Sequence, residues 1–295
     1  MLNAPLPDLK SWTHHFSQQE IPVLSSTLAR MHDLHGRIDD IGIRDVAHLV
    51  RHDPLLSLRL IRHLESHRHA SQVTDVTTLD RILLMIGLGG FFRTFGHALT
   101  LESKLATQPQ ALEGCRRVCS RAHLAAKFAE MIGSRRHDLD PEEVATAALL
   151  HNTAEILLWT EAPSLSTEIS SLLMNNPGMR SRDAQIQVLG ITLHDLHMEL
   201  LNTWHLPKLM QHLQDERYAN EPRVRTVSVS TALARHLNND WQDPALPDDY
   251  QIVADLIGVD PETAYKLVQR QALNVAREWE WFGVPPAAAK LVQCS

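Results

Sequence analysis

Runs that alternate apolar and polar residues are nearly absent from this 295-residue sequence, which also has no Asn-Gly or Asp-Gly dipeptide to close a hairpin. A half-buried strand needs that period of two, so a sheet-based fold is excluded and an all-α fold is expected. No equal-length repeat recurs, which argues against a solenoid. The longest apolar stretches, such as Ile82 to Gly90, fall well short of the roughly 20 residues that cross a bilayer. The opening MLNAPLPDLKSW has no basic segment followed by an apolar run. Neither an export signal nor a membrane anchor is expected, and the expected location is the cytoplasm.

Cysteine is scarce. The three present are odd in number, so at least one is unpaired, which fits a reducing compartment. Cys115 and Cys119 stand four apart on one helix face. With no second pair at zinc-site spacing, they read as two small, half-buried side chains. Positive charge is also in deficit: 28 Lys and Arg against 35 Asp and Glu give a formal charge of −7. Nucleic-acid affinity rests on neutralising phosphates, so nucleic acid is not expected as the principal ligand. The locally basic stretch Arg116, Arg117, Arg121, Arg135 and Arg136 reads as a solvated helix face.

What is present is helical periodicity from end to end. At Asp53-Pro54, Asp140-Pro141 and Asp260-Pro261 an Asp precedes a Pro that opens an amphipathic pattern. The Asp oxygen can accept from a free first-turn amide, and Pro has no amide to leave unpaired there. Further patterns cover Val23 to Leu34, Thr78 to Leu88, Phe91 to Leu105, Arg117 to Ile132 and Thr263 to Trp281, among others. Turn formers and acidic residues cluster from Asn238 to Asp249, and a softer seam lies at Thr107 to Gln110. The expected organisation is an amino-terminal helical half over 15–110, a second half over 111–240 and a carboxy-terminal helical extension over 241–295. The two halves are expected to pack as one unit, because the seam lacks the composition of a flexible linker.

Histidine is abundant, with 18 residues, and abundance makes metal-like spacings common by chance. His32/His35, His48/His52, His63/His67 and His194/His197 are three or four apart. The run His63-Leu64-Glu65-Ser66-His67 lacks the Glu directly after the first His that a zinc-protease helix needs. Gly87-Leu88-Gly89-Gly90 follows no strand pattern and reads as a turn between helices, not as a phosphate loop.

More specific is Ala147-Ala148-Leu149-Leu150-His151-Asn152-Thr153-Ala154-Glu155-Ile156-Leu157-Leu158. It resembles the central motif of the HD superfamily of metal-dependent phosphohydrolases. In that motif a His-Asp pair at a helix end joins an earlier His and a later Asp around one or two divalent metals. Here Asn152 stands for the Asp and cannot supply its charge. The resemblance places Arg121 at the earlier His, with His123 two residues along. Downstream, Leu189-Gly190-Ile191-Thr192-Leu193-His194-Asp195 and Trp204-His205-Leu206-Pro207 resemble the HDOD segment in which a His precedes a Trp-x-Leu-Pro turn. Counting back from Trp204 puts Leu193 at the His position, and a shift of one restores His194. Ile21-Pro22-Val23-Leu24, the helix from His52 to Arg62 and the helix from Thr78 to Gly87 also resemble HDOD segments, in the same order. The resemblance spans about residues 15 to 240.

It implies an all-α, multi-helix HD-like bundle with an additional amino-terminal helical half and a carboxy-terminal extension. It further implies a non-catalytic bacterial signal-transduction module with no catalytic residue, bound metal or cofactor. Its expected partners are signalling proteins such as a sensor kinase, a response regulator or a cyclic-dinucleotide enzyme. Arg121, His123, His151, Asn152, Leu193, His194 and Asp195 are the degenerate HD-site positions and a candidate ligand pocket. The second reading is a metal-dependent phosphohydrolase or cyclic-dinucleotide phosphodiesterase using His123, His151, His194 and Asp195 in a rearranged site.

Overall fold

The computed structural model describes residues 1–67 and 78–294, with side chains through residue 290. The first helices are α1 (Leu9–Ser17), α2 (Ser25–Gly36), α3 (Ile43–His52), α4 (Pro54–Ser66), α5 (Leu79–Ile86), α6 (Leu88–Phe95) and α7 (Leu101–Lys104). The central ones are α8 (Pro109–Gly133), α9 (Pro141–Leu150), α10 (Thr153–Glu161), α11 (Pro163–Asn175), α12 (Ser181–Leu189) and α13 (Leu193–Thr203). The last are α14 (Lys208–His212), α15 (Pro222–Asn239), α16 (Leu246–Ile257) and α17 (Pro261–Ala276), followed by 3-10 turns at Trp279–Trp281 and Ala287–Cys294. Among the described residues the only β-type pairing noted is an isolated bridge between Val23 and Thr100, so the fold is all-α as expected. None of these helices is long and apolar enough to cross a membrane.

Proline opens six of the helices, at Pro54, Pro109, Pro141, Pro163, Pro222 and Pro261. All three Asp-Pro starts cap as expected. Asp140 accepts from the Glu142 amide at 2.9 Å and Asp260 from the Thr263 amide at 2.9 Å. Asp53 does more than cap α4. It is fully buried, and while Oδ1 accepts from the Leu55 amide at 2.8 Å, Oδ2 accepts from the Leu24 amide at 2.9 Å, tying the start of α2 to that of α4. Burial pushes its carboxyl above the usual range, against the pull of these amides.

Two expected patterns are interrupted. Gly87 ends α5 and begins α6 with φ at 70°, a conformation that side-chain-bearing residues rarely adopt, so the chain bends there, as its glycines suggested. The pattern expected from Phe91 to Leu105 breaks after Phe95 and resumes only in the single turn of α7. Helices α1 and α3 are further elements that the sequence reading did not single out. Their buried faces, Trp12 and Phe16 on one and Val46, Ala47, Leu49 and Val50 on the other, explain why they form.

Two large apolar cores share one long helix. The larger core takes side chains from α1 to α6, the first half of α8 and α10 to α13; the smaller takes the second half of α8, α9 and α14 to α17. Within α8, Cys115 and Cys119 face the larger core while Phe128 and Ile132 face the smaller. Both cysteines are completely buried, not half-buried as their sequence context suggested. Helix α10 lies so close to α8 at Gly114 that a Cβ there would meet the Trp159 ring at 2.8 Å. The carboxy-terminal stretch belongs to both cores: α16 and α17 complete the smaller one, and Trp281, Phe282 and Val284 return to the larger.

Candidate functional site

The His-Asn pair sits at the sharp junction between α9 and α10. His151 caps the first helix and Asn152 opens the second, and Thr153 secures the turn by donating its hydroxyl to the Leu150 carbonyl at 2.6 Å. The turn carries His151 toward α13, where its ring centroid lies 6.0 Å from that of His197. Burial, and the nearby His197, His194, Arg235 and Arg121, push the His151 imidazole down to about 3, so it is neutral at physiological pH.

His197 is the residue here that sequence reasoning missed, although its spacing three residues after His194 was visible. Gln214 donates to the Met210 carbonyl at 3.1 Å, which fixes its amide and leaves Oε1 to accept from His197 Nε2 at 2.7 Å. The His197 proton is therefore on Nε2. The buried Nδ1 carries a lone pair with no partner. Burial lowers this ring to about 4.

Of the seven positions expected to form the pocket, the structure gathers Arg121, His151, Asn152 and His194 around the α9–α10 turn. Arg121 is not an open cation: it donates to the Glu155 carboxylate on the first turn of α10. Arg235 of α15 brings a second guanidinium close to Arg121 and His151. Asp195 is occupied locally. It accepts from the Thr192 hydroxyl at 2.6 Å while that hydroxyl accepts from the Asp195 amide, a closed capping pair at the start of α13. Leu193 packs against the larger core, and its amide donates to Gln185 at 2.9 Å.

His123 faces elsewhere. Two residues along α8 from Arg121, it points to a different side of the helix and is fully buried against α3 and the carboxy-terminal stretch. Its Nε2 donates to Glu278 Oε2 at 3.1 Å, and the same oxygen lies 2.9 Å from His52 Nε2. The His52 ring stacks between His123, at 4.4 Å, and Trp281, at 4.3 Å. Burial pushes His123 down to about 4, and hydrogen bonds from His123 and then His52 hold Glu278 well below the usual carboxylate range.

The basic stretch is largely neutralised rather than simply solvated. Arg116 pairs with Glu102 at 2.9 Å, Arg117 with Glu113 at 2.6 Å and Arg136 with Asp138 at 2.7 Å, while Arg135 donates to the Met131 carbonyl at 2.7 Å.

The fold, the turn carrying His151 and the ordered segments before it define an HD-like helical protein. The chain matches the HDOD domain over residues 21–219 and belongs to that family. Among curated proteins none matches the chain. Among solved structures it is similar to the MmoQ response regulator from Methylococcus capsulatus, at 20% identity and a TM-score of 0.60, covering 85% of this chain and 98% of that one. It is also similar to a virulence factor from Campylobacter jejuni, at 16% identity and a TM-score of 0.63, covering 91% of this chain and 100% of that one. At these identities the likeness speaks for the shared fold.

Proposed function

We propose that this protein is a non-catalytic signal-transduction module whose HD-like pocket serves packing and regulation, and whose surface engages a signalling protein such as a sensor kinase, response regulator or cyclic-dinucleotide enzyme. The observation that carries this reading is Arg121, a cation at the first metal-ligand position, ion-paired with Glu155. The donor set around it does not suit the divalent metals of active HD proteins. It offers the imidazoles of His151, His194 and His197 and the neutral amide of Asn152, but the Glu155 carboxylate is already committed to Arg121 and two guanidiniums stand beside the set. A two-metal site needs carboxylates to balance the ions and bridge them. That one structural relative is named a response regulator fits a signalling role.

The test is a phosphodiesterase assay on the full chain with Mn²⁺ or Mg²⁺, using a chromogenic phosphodiester and cyclic dinucleotides. The expected result is no turnover above buffer. Turnover that disappears in His151→Gln would overturn the reading in favour of the phosphohydrolase. Affinity capture from the native cell, with candidate kinases and response regulators then tested in purified form, identifies the partner.

A further inference from the structure

The pairing of His48 with His52 was one of several histidine spacings that looked accidental in the sequence. In the structure it is joined by a third ligand from a distant part of the chain. We propose that a transition-metal ion of the zinc class binds between His48 and His52 of α3 and Glu278 of the carboxy-terminal stretch, pinning that stretch to the amino-terminal half. Among the described residues, these three are the group that brings one ligand atom each within 4.8 Å of one another. The site is distinct from the HD-like positions around His151.

The first argument is geometric. Residues four apart on a helix share a face, and the rings of His48 and His52 lie 4.3 Å apart between centroids. Two imidazoles and one carboxylate are the three protein ligands of a common zinc arrangement, with water in the fourth position.

The second argument is the orientation of His52. Its Nδ1 lies 2.7 Å from the His48 carbonyl oxygen, which can only accept, so Nδ1 carries a proton and Nε2 is the atom turned toward Glu278 Oε2, at 2.9 Å. Either a second ring proton or a metal ion satisfies that contact, and an Nδ1–H donated to a backbone carbonyl is the usual support of a metal-binding histidine. Ligand atoms around tetrahedral zinc lie about 3.4 Å apart, so His52 and Glu278 have only about 0.5 Å to open.

The surroundings agree. His123, donating from Nε2, orients the Glu278 carboxylate and acts as a positioning residue. The neighbouring cations are compensated, Lys127 by Glu130 at 3.0 Å and Arg51 by Asp80 at 2.5 Å. His48 is exposed, and Glu278 lines a cavity of about 390 Å³ between α8 and α17, so an ion has a way in.

Full-length protein stripped with a chelator and dialysed is titrated with ZnCl2 by calorimetry, with elemental analysis after removal of free zinc. One equivalent of zinc is expected, with affinity weakened about tenfold or more by His48→Gln and by Glu278→Gln, and unchanged by His151→Gln. Because His48 is exposed, His48→Gln should fold normally, and its thermal melt without zinc verifies that. Failure to retain zinc in one-to-one amount would overturn the proposal and leave a proton between His52 and Glu278. Zinc kept by His48→Gln but lost from His151→Gln would overturn it too, and would point instead to a working HD site.

Discussion

Arg121 and Glu155 join α8 to α10 by a salt bridge that is shielded on the arginine side, with Arg121 only 14% exposed. Replacing Glu155 with Gln leaves the guanidinium beside Arg235 without its countercharge. The expected cost is about 1–3 kcal/mol in urea unfolding. The double change Arg121→Met with Glu155→Leu should cost less than Glu155→Gln alone, since neither charge is then stranded. With the single changes Arg121→Met and Glu155→Leu measured alongside the double, additive losses would show that the two residues act independently.

Acid should destabilise the protein through the HD-like pocket. His197 titrates at about 4 in the folded chain against an ordinary value near 6.5. Below pH 6.5 the unfolded chain takes up a proton that the folded chain refuses, so stability falls as pH drops from 6.5 toward 4 and levels off beneath. At pH 5 the loss from this 2% exposed ring is roughly 2 kcal/mol. His151, lowered to about 3, acts in the same direction. Denaturation curves at pH 7 and pH 5 measure the slope, which His197→Gln should flatten; an equal slope in that variant would refute the assignment.

Trp281 anchors the returning chain end. Its indole donates to Thr27 Oγ1 at 2.9 Å, the Arg30 guanidinium lies 3.9 Å above its ring, and His52 stacks on it. Trp281→Ala is expected to cost about 3–5 kcal/mol. Thr27→Val, which strands the indole proton, is expected to cost about 1–2 kcal/mol. Proteolysis near residue 277 should accelerate in Trp281→Ala, and an unchanged digestion pattern would count against the anchor.

Asp53 and Asp260 both precede a proline, yet they should respond differently to Asn. At the exposed Asp260 the amide oxygen replaces the carboxylate as a cap, and thermal melts should barely move. At Asp53 both oxygens accept from backbone amides in a fully buried setting, so one amide would face the NH2 of Asn. A loss of about 1–3 kcal/mol is expected there. Equal effects at the two positions would show that the link from Leu24 to α4 carries no stability.

The helical class, the Asp-Pro starts and the bend at Gly87 were legible in the sequence because each depends on local chemistry. Helix α1 was harder to see because its pattern is short, and its burial depends on a distant contact: Trp12 Nε1 donates to the Leu189 carbonyl at 3.3 Å. The candidate site was legible in part. His151 and Asn152 follow from a motif contiguous in sequence, whereas Arg121, well upstream of it, was placed by the family resemblance. His197 was passed over because the spacing from Trp204 pointed to Leu193 or His194, whereas the direction of α13 brings the ring one turn later toward His151. Glu278 lies 226 residues from His52, and no local pattern announces that contact.

Helix α8 passes between the two pockets as an axle passes between two wheels. Arg121 and His123 share one of its turns but project about 200° apart, one toward Glu155 and the other toward Glu278. A twist of α8 by about 10° carries side-chain tips at its rim by about 1 Å, in opposite senses at the two sites. Hydrogen bonds do not survive displacements much larger than that. A rigid rotation of α8 would therefore displace the Arg121–Glu155 and His123–Glu278 contacts together, so neither could be remade without moving the other.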